Sequence, residues 1–163
     1  MNVFKTTLIA AALATAGLAG NAVAASADAS FTVNLSIDGS CRFIAADNIT
    51  FPAQAAQAGT VNATGRLVVQ CTNALPFTLS LDEGDNGANV NARAMSNGTS
   101  DVAYQLYTAS NAVWGADTGT GTGTGFGSGA PYDHSFVVNA TATLVGTETV
   151  GNYTDTVTAT VTY

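Results

Sequence analysis

The amino-acid sequence predicts an all-β protein built as an antiparallel β-sandwich. Apolar and polar residues alternate with a period of two in several short runs, which is the pattern of half-buried strands. The turn-forming dipeptides Asn86-Gly87 and Asn97-Gly98 lie between those runs, and one pair of cysteines suits a disulfide-bonded sandwich. No segment after residue 24 has a capped apolar stripe of helical period, so helices are not expected.

The first strand candidate is an N-terminal alternation of four apolar residues with polar ones. These four residues, called the apolar N-terminal set below, are Phe31, Val33, Leu35 and Ile37. Further strands are predicted, in chain order, over residues 48–51, 65–71, 77–81, 102–107, 135–144 and 153–163. Residues 53–58 are the least strand-like part and could form one helical turn.

The last predicted strand keeps its alternation through to the end of the sequence. One face carries Tyr153, Val157, Ala159, Val161 and Tyr163, and the other carries threonine at every even position from 154 to 162. Threonine suits a solvated strand face because it is β-branched yet polar. We expect another strand to pair with this one.

A glycine-rich stretch at residues 119–129 has glycine at every odd position. Strict alternation cannot produce the spacing of the phosphate-binding Gly-x-Gly-x-x-Gly motif, and no helix is predicted to follow. We expect a flexible hairpin loop.

The N-terminus has the features of a secretory signal peptide. Lys5 gives it a positive charge, and residues 8–18 form an apolar run too short to span a bilayer of about 30 Å. Ala22 and Ala24 have the spacing that signal peptidase accepts, so we expect cleavage after Ala24, with Ala25 as the alternative. The rest of the chain is expected to be exported.

The net negative charge of the chain excludes anionic partners. The chain has 4 Lys+Arg against 11 Asp+Glu and a net charge of -7, so it offers no basic surface for nucleic acid or anionic lipid. Export makes a structural disulfide between Cys41 and Cys71, the only two cysteines, the expected outcome. Such a bond closes a loop of about 30 residues and is worth roughly 3.5 kcal/mol in the chain-entropy model.

Motifs that resemble reactive or metal-binding sites fail on spacing. Residues 82–87 are similar to a calcium loop, but Gly84 and Arg93 stand where oxygen ligands are needed. The sequence Asp133-His134-Ser135 has the residue types of a hydrolase triad, yet neighbours on a strand point to opposite faces. We expect no catalytic residue, metal site, cofactor or small-molecule substrate.

The aromatic residues Trp114, Tyr104, Tyr107 and Tyr132 have two interpretations. The favoured one is that Tyr104, Tyr107 and Trp114 pack in the core of the sandwich or cover its end. In the other, exposed rings stack on sugars, which would make the protein a secreted carbohydrate-binding module.

Several motifs together resemble the spore coat protein U domain family, which includes the rod subunits of archaic chaperone–usher pili of the Csu type. The matching segments begin at Thr64 (TGRLVVQCT), Pro76 (PFTLSLDEG), Tyr104 (YQLY), Trp114 (WG) and Gly151 (GNYTDTVTATVTY). The resemblance implies an incomplete immunoglobulin-like antiparallel sandwich that is completed by a donor strand from another subunit. It implies no enzyme activity.

The resemblance also implies partners and residue roles. A periplasmic chaperone fills the gap in the sandwich first, and the N-terminal segment of another copy then replaces it in a head-to-tail fibre delivered through an outer-membrane usher. The donor residues would be the apolar N-terminal set, and the C-terminal strand would line the gap and pair with the chaperone. A tip adhesin is a further expected partner, and the fibre would serve surface adhesion and biofilm formation.

The expected organisation is a removed signal peptide at residues 1–24, a donor segment at 25–38 and a pilin domain at 39–163. Burying the apolar N-terminal set is worth about 6–12 kcal/mol at 1.5–3 kcal/mol per side chain. The exported chain would contain no lysine, the residue that commonly protects exposed sheet edges, which fits a subunit that polymerises through strand edges. Alternatives to a pilin are the carbohydrate-binding module, a coat protein and, least favoured, a small secreted hydrolase.

Overall fold

The structure, a computed structural model, describes residues 24–163, so most of the predicted signal peptide lies outside the described residues. Residues 24–163 contain no helix, and every strand pairing among them is antiparallel, which confirms the all-β prediction. These residues accordingly include no helix that could span a membrane. The strands are β1 (Cys41–Ala46), β2 (Gly59–Cys71), β3 (Pro76–Leu81), β4 (Arg93–Ser96), β5 (Asp101–Tyr107), β6 (Gly119–Thr122), β7 (His134–Leu144) and β8 (Ala159–Thr162).

The chain divides into two units, Met1–Leu35 and Ser36–Tyr163. The described part of the first unit, residues 24–35, has neither helix nor strand, and its residues are exposed. The strand predicted through Phe31, Val33, Leu35 and Ile37 is therefore not formed within this chain. The physical reason is that a strand needs a neighbour to satisfy its backbone hydrogen bonds, and no described segment pairs with these residues.

The second unit is built from two sheets with the strand orders β1-β2-β7-β5-β4 and β6-β3-β8. Strands β2 and β7 form the longest ladder, which runs from the pair Gly59 and Leu144 to the pair Val69 and His134. Alternate side chains of both sheets point inward and form one apolar core. Its most deeply buried members include Val69, Cys71 and Leu79.

The predicted strands at residues 65–71, 77–81, 102–107 and 135–144 lie within β2, β3, β5 and β7. The strand predicted at residues 48–51 is wrong, because the chain leaves the sheet after β1. Residues 53–58 form no helical turn either. Of the predicted strand at 153–163, only β8 has regular pairing.

Strands β1 and β4 have no counterpart among the predictions. The register of β1 against β2 shifts between Phe43 and Ala45, so its side chains do not follow a simple period of two. Strand β4 has only 4 residues, too few for a periodic signal. The turn predicted at Asn97-Gly98 is present between β4 and β5, with Gly98 at a φ of 85°.

The prediction of a flexible loop over residues 119–129 is wrong for its first part, which is strand β6, paired with β3. The alternating glycines are one face of this strand. A Cβ atom on Gly119 would lie 2.8 Å from Cη2 of Trp114, and one on Gly121 would lie 2.5 Å from Cζ of Phe77. Glycine is required at these positions because large aromatic side chains fill the space beside the backbone.

The predicted disulfide between Cys41 and Cys71 is present. These residues are opposite each other where β1 begins and β2 ends, so the bond fastens an edge strand to the sheet. Both sulfur atoms belong to the apolar core or pack against it.

Candidate functional site: an open groove in the sandwich

A groove opens between the two sheets at the end of the sandwich remote from the disulfide. Its volume is about 1540 Å³. Phe43 and residues 46–56, called the N-terminal rim here, border it on one side, and residues 148–159, called the C-terminal rim, also border it. The inward faces of the sheets form its floor with the apolar side chains Leu67, Leu81, Met95, Val102, Leu106, Val138, Ala140, Ala142 and Leu144.

The groove is a part of the core that lacks a cover. Met95, Leu144, Tyr153 and Val157 line it and pack against buried core residues, yet each remains only partly buried. Apolar surface of this size on a soluble protein usually marks a place where another chain binds. The groove is therefore a candidate binding surface for another chain.

The C-terminal rim has an unpaired backbone edge. Its other edge is used, because the N–H groups of Asp82 and Asp85 donate to the carbonyls of Thr158 and Thr156 at 3.1 and 3.2 Å. Successive residues of an extended chain present their backbone groups to opposite sides, so the N–H and C=O of Val157 face the free edge. Among the described strands, β8 has β3 as its single neighbour. An incoming strand would find both hydrogen-bonding groups and apolar side chains there.

The structure places three of the five predicted C-terminal residues in the groove. Tyr153, Val157 and Ala159 line it. Val161 lies opposite Leu79 in the β3–β8 ladder and packs against the core outside the groove lining. Tyr163 follows β8 and is 58% exposed.

A carboxylate fastens the C-terminal rim to the sheets. Oδ2 of Asp155 accepts a hydrogen bond of 2.5 Å from the Tyr104 hydroxyl, and Oδ1 accepts one of 3.1 Å from the backbone N–H of Asn86. Burial, the hydrogen bond to Asp155 and the charge of that carboxylate raise the pKa of Tyr104 far above its usual value. Tyr104 is therefore a permanent donor at the groove.

A second carboxylate acts on the same rim. Oδ1 of Asp82 accepts hydrogen bonds from the backbone N–H groups of Thr158 and Gly84, at 2.8 and 3.0 Å. Burial alone would raise the pKa of Asp82, but these hydrogen bonds and the positive charge of Arg93 outweigh it and leave the pKa below its ordinary value. The ionised form of Asp82 thus stabilises the rim.

Arg93 is a functional core residue that sequence reasoning missed. Its side chain is 1% exposed, and the guanidinium donates to the carbonyls of Leu81, Asp82 and Trp114 and to Oε1 of Gln105. Burial lowers its pKa, whereas nearby acidic groups raise it. The composition could have indicated this role. The chain has only 4 Lys+Arg, so an arginine placed between apolar strands is expected to have a structural function.

The N-terminal rim also escaped prediction as part of the site. Ile49 and Phe51 pack against the core from a segment that belongs to no strand ladder. Gly65 of β2 leaves room for this segment, since a Cβ atom there would lie 2.6 Å from Cγ1 of Ile49. An ion pair of 3.4 Å between Arg66 and Asp47 holds the start of the rim.

At the opposite end of the sandwich, called the sealed end here, aromatic side chains fill the space between the sheets. Trp114 is 1% exposed there, and its ring meets Phe136 edge to face at 6.2 Å. Phe77 makes similar contacts with Phe136 and His134. The core interpretation is confirmed for Trp114 and Tyr104, so neither ring is available for stacking on a sugar. It is wrong for Tyr107, because the alternation of β5 places that side chain on the outer face of the sheet.

The motifs that resembled reactive sites have structural roles. His134 packs against Phe77, and its Nε2 lies 3.2 Å from Oγ1 of Thr124, while the Asp133 carboxylate accepts a hydrogen bond from Gln70. None of these contacts joins Asp133, His134 and Ser135 to one another as a triad would require. Nowhere in residues 24–163 do three or more His, Cys, Asp or Glu side chains converge in a way that could hold a metal ion.

The apolar N-terminal set is exposed in the described chain. The exposed fractions of Phe31, Val33, Leu35 and Ile37 lie between 78% and 88%. Four large apolar side chains with this exposure and a period of two form a surface that water solvates poorly. The set is thus a candidate ligand for a groove of the kind described above.

Comparisons with known proteins agree with this geometry. The family model for the Spore Coat Protein U domain matches residues 27–160. A chain in the crystal structure of the CsuC–CsuE chaperone–tip adhesion subunit pre-assembly complex, from archaic chaperone–usher Csu pili of Acinetobacter baumannii, is similar in fold at 24% sequence identity and a TM-score of 0.53. The match covers 78% of this chain and 40% of that chain, so this chain spans less than half of its neighbour. No curated protein matches the chain at a significant level.

Proposed function

The chain belongs to the Spore Coat Protein U domain family, and from that membership we propose that it is a structural subunit of a surface pilus. The pilus is assembled by the chaperone–usher pathway through donor-strand exchange. The observation that carries the proposal is the groove, because its free backbone edge and apolar floor suit an added β-strand.

The donor is the segment at residues 25–38 of another copy. Its apolar set alternates as a strand inserted into a core requires, and burying it would stabilise the acceptor by about 6–12 kcal/mol before ordering costs. Each copy has one donor segment and one groove, which are formed by different parts of the chain. Contacts of this head-to-tail type need not close into a ring and can propagate as a fibre.

The proposal includes the assembly partners and the location. A periplasmic chaperone would occupy the groove before polymerisation, an outer-membrane usher would deliver the subunit, and a tip adhesin would end the fibre. The subunit would leave the cell through the periplasm after removal of residues 1–24. Adhesion and biofilm formation are the proposed roles of the finished pilus, and the domain at residues 39–163 acts as its building block without enzyme activity.

Deleting residues 25–38 tests the donor assignment. The shortened subunit should form no heat-stable multimers, whereas a synthetic peptide of residues 25–38 should bind it and raise its melting temperature. At a peptide concentration of about 100 times Kd, the expected stabilisation is roughly 2.7 kcal/mol.

Two altered peptides provide a matched control. Leu35→Asp places a charge on the apolar face and should abolish binding, while Asn34→Asp places the same charge on the polar face and should bind nearly as well as the original. Persistent multimers of the shortened subunit, or equal binding of the two altered peptides, would rule out the donor assignment.

A further inference from the structure

The outer face of the larger sheet carries a shallow depression of about 450 Å³, called the outer depression here. Inward side chains on β7 include Val138 and Ala140, so Asn139 and Thr141 point to the opposite, solvent-facing side. The depression is therefore separated from the groove by the thickness of the sheet. Its side-chain lining comes from Asn62, Thr64, Tyr107, Asn111, Asn139 and Thr141.

The strand register brings an aromatic ring and several amides together at this place. Asn139 lies opposite Thr64 of β2 on one side and opposite Tyr107 of β5 on the other. Thr141 lies opposite Asn62 and donates a hydrogen bond of 2.8 Å to its Oδ1. The turn after β5 adds Asn111, which has a φ of 61°.

Several polar groups in the outer depression have no protein partner. Nδ2 of Asn139 donates to the carbonyl of Thr108 at 3.2 Å, which leaves its Oδ1 free to accept. The hydrogen bond from Thr141 uses Oδ1 of Asn62, and the Nδ2 of Asn62 makes no hydrogen bond to any described residue. The Tyr107 hydroxyl is likewise unpaired within residues 24–163. A donor, an acceptor and a hydroxyl thus border one concave surface beside an aromatic ring.

We propose that the outer depression binds a neutral saccharide. Sugar hydroxyls both donate and accept hydrogen bonds, so they match free amide N–H and C=O groups, and the apolar face of a sugar ring can pack against an aromatic side chain. The volume lies within the range of about 300–1,000 Å³ typical of small-molecule sites. The site shares with the groove only Ala140, a residue of the sheet that separates the two.

The charge distribution selects a neutral ligand over a charged one. No charged side chain lines the outer depression, so nothing there would neutralise an anion or a cation. The net charge of -7 repels acidic polysaccharides and nucleic acids at longer range. In a pilus, which rests on the proposed function above, each copy would present one such site and weak single contacts would add in avidity.

Calorimetric titration of the mature full-length chain with cellohexaose, chitohexaose and mannohexaose tests the proposal, with heparin as an acidic comparison. At least one neutral probe should bind. Tyr107→Ala should weaken binding about tenfold through the lost ring contact, and Tyr107→Phe should weaken it less. Asn62→Ala should also weaken binding, and this position is exposed, so the variant is expected to fold normally.

Asn91→Ala is the matched control, because Asn91 is equally exposed but lies outside the depression and should bind the probe as the unaltered chain does. Melting temperatures of all variants verify that they are folded. Three results would overturn the proposal: no binding to any neutral probe, binding to heparin alone, or unchanged affinity in both Tyr107→Ala and Asn62→Ala. None of these results bears on multimer formation, so the pilus proposal is judged separately.

Discussion

At the sealed end of the sandwich, Trp114, Phe77 and Leu79 are almost fully buried between the sheets, whereas at the groove Met95, Leu144 and Val157 stay partly exposed. Both ends are built from apolar residues on the inward faces of strands. The difference is that β6 covers the smaller sheet at the sealed end, while no described strand covers the free edge of β8. The sandwich therefore lacks a strand only at the groove, and the rest of its core is packed like that of a complete domain.

This contrast explains how an unfinished sandwich can still be a folded acceptor. The disulfide and the aromatic contacts concentrate at or near the sealed end. The buried Arg93 links the Trp114 carbonyl of that end to the carbonyls of Leu81 and Asp82 beside the groove. The groove is instead bordered by rims fastened through polar contacts, such as those of Asp155 and Asp82. The sealed end thus supplies most of the stability of the domain, and the groove supplies the binding surface.

The same substitution of leucine by alanine, made once at each end, tests the contrast most strongly. Leu79→Ala leaves a closed cavity at a residue with 0% exposure, and it should lower the free energy of unfolding by about 2.7–5 kcal/mol. Leu144→Ala removes the same atoms beside the open groove and should cost less than half as much. Chemical denaturation of the two single variants measures both costs.

Filling the groove sharpens that comparison. With the peptide of residues 25–38 bound, the cost of Leu144→Ala should rise toward that of Leu79→Ala, because its side chain would then be enclosed. Equal costs for the two variants in the unfilled subunit would show that the groove is as well packed as the sealed end.

Loss of the disulfide should give the next largest effect. Replacing Cys41 and Cys71 together by serine opens a loop with a sequence separation of 30 residues and should cost roughly 3.5 kcal/mol. Because the bond lies away from the groove, peptide affinity measured below the melting temperature should change less than about twofold. A large loss of affinity in the folded variant would contradict the separation of the two ends.

Removal of one hydroxyl at the groove should have a smaller effect. Tyr104→Phe deletes the donor to Asp155 and should lower the free energy of unfolding by about 1.5–3 kcal/mol, the range for hydrogen bonds to charged groups. Tyr107→Phe, on the outward face of the same strand, is the control and should change stability by no more than about 0.5 kcal/mol. If thermal unfolding gave the same cost for both, the Tyr104–Asp155 contact would not stabilise the rim.

Acid should weaken the C-terminal rim through Asp82, and this is the smallest expected effect. The pKa of Asp82 is lower in the folded state, so its contribution is complete above the unfolded pKa near 4 and is lost as the pH falls through the folded value. Denaturation midpoints between pH 7 and pH 2 should fall less steeply for Asp82→Asn than for the unaltered chain. If the midpoints of the two proteins fell equally with pH, Asp82 would not be a source of the acid sensitivity.

The periodic strands were the predictable part of this fold. Strands β2, β3, β5 and β7 alternate regularly and follow from the sequence, as does the disulfide, because only one pairing of cysteines exists. Strand β1 was missed because its bulge breaks the alternation. The loop prediction for β6 failed because glycine has no side chain to show which face is buried, and the aromatic residues that need the space are distant in sequence.

The groove was predictable only in part. Tyr153, Val157 and Ala159 follow from the alternation near the C-terminus, but Ile49, Phe51 and Asp155 reach the site through tertiary contacts that no local pattern records. The roles of Phe31, Val33, Leu35 and Ile37 stay a prediction, since a donor strand is defined by a second molecule. Local periodicity predicts a face, and only the fold shows what lies opposite it.

The glycine face of β6 limits how this segment can change in length. Successive Gly-Thr units repeat the strand period of two, so insertion or deletion of one whole unit would keep every glycine beside the aromatic residues and every threonine in solvent. Insertion of a single residue would instead reverse the two faces, so that threonine side chains would clash with the rings of Trp114 and Phe77. The architecture should therefore tolerate changes in the length of this segment only in steps of two residues.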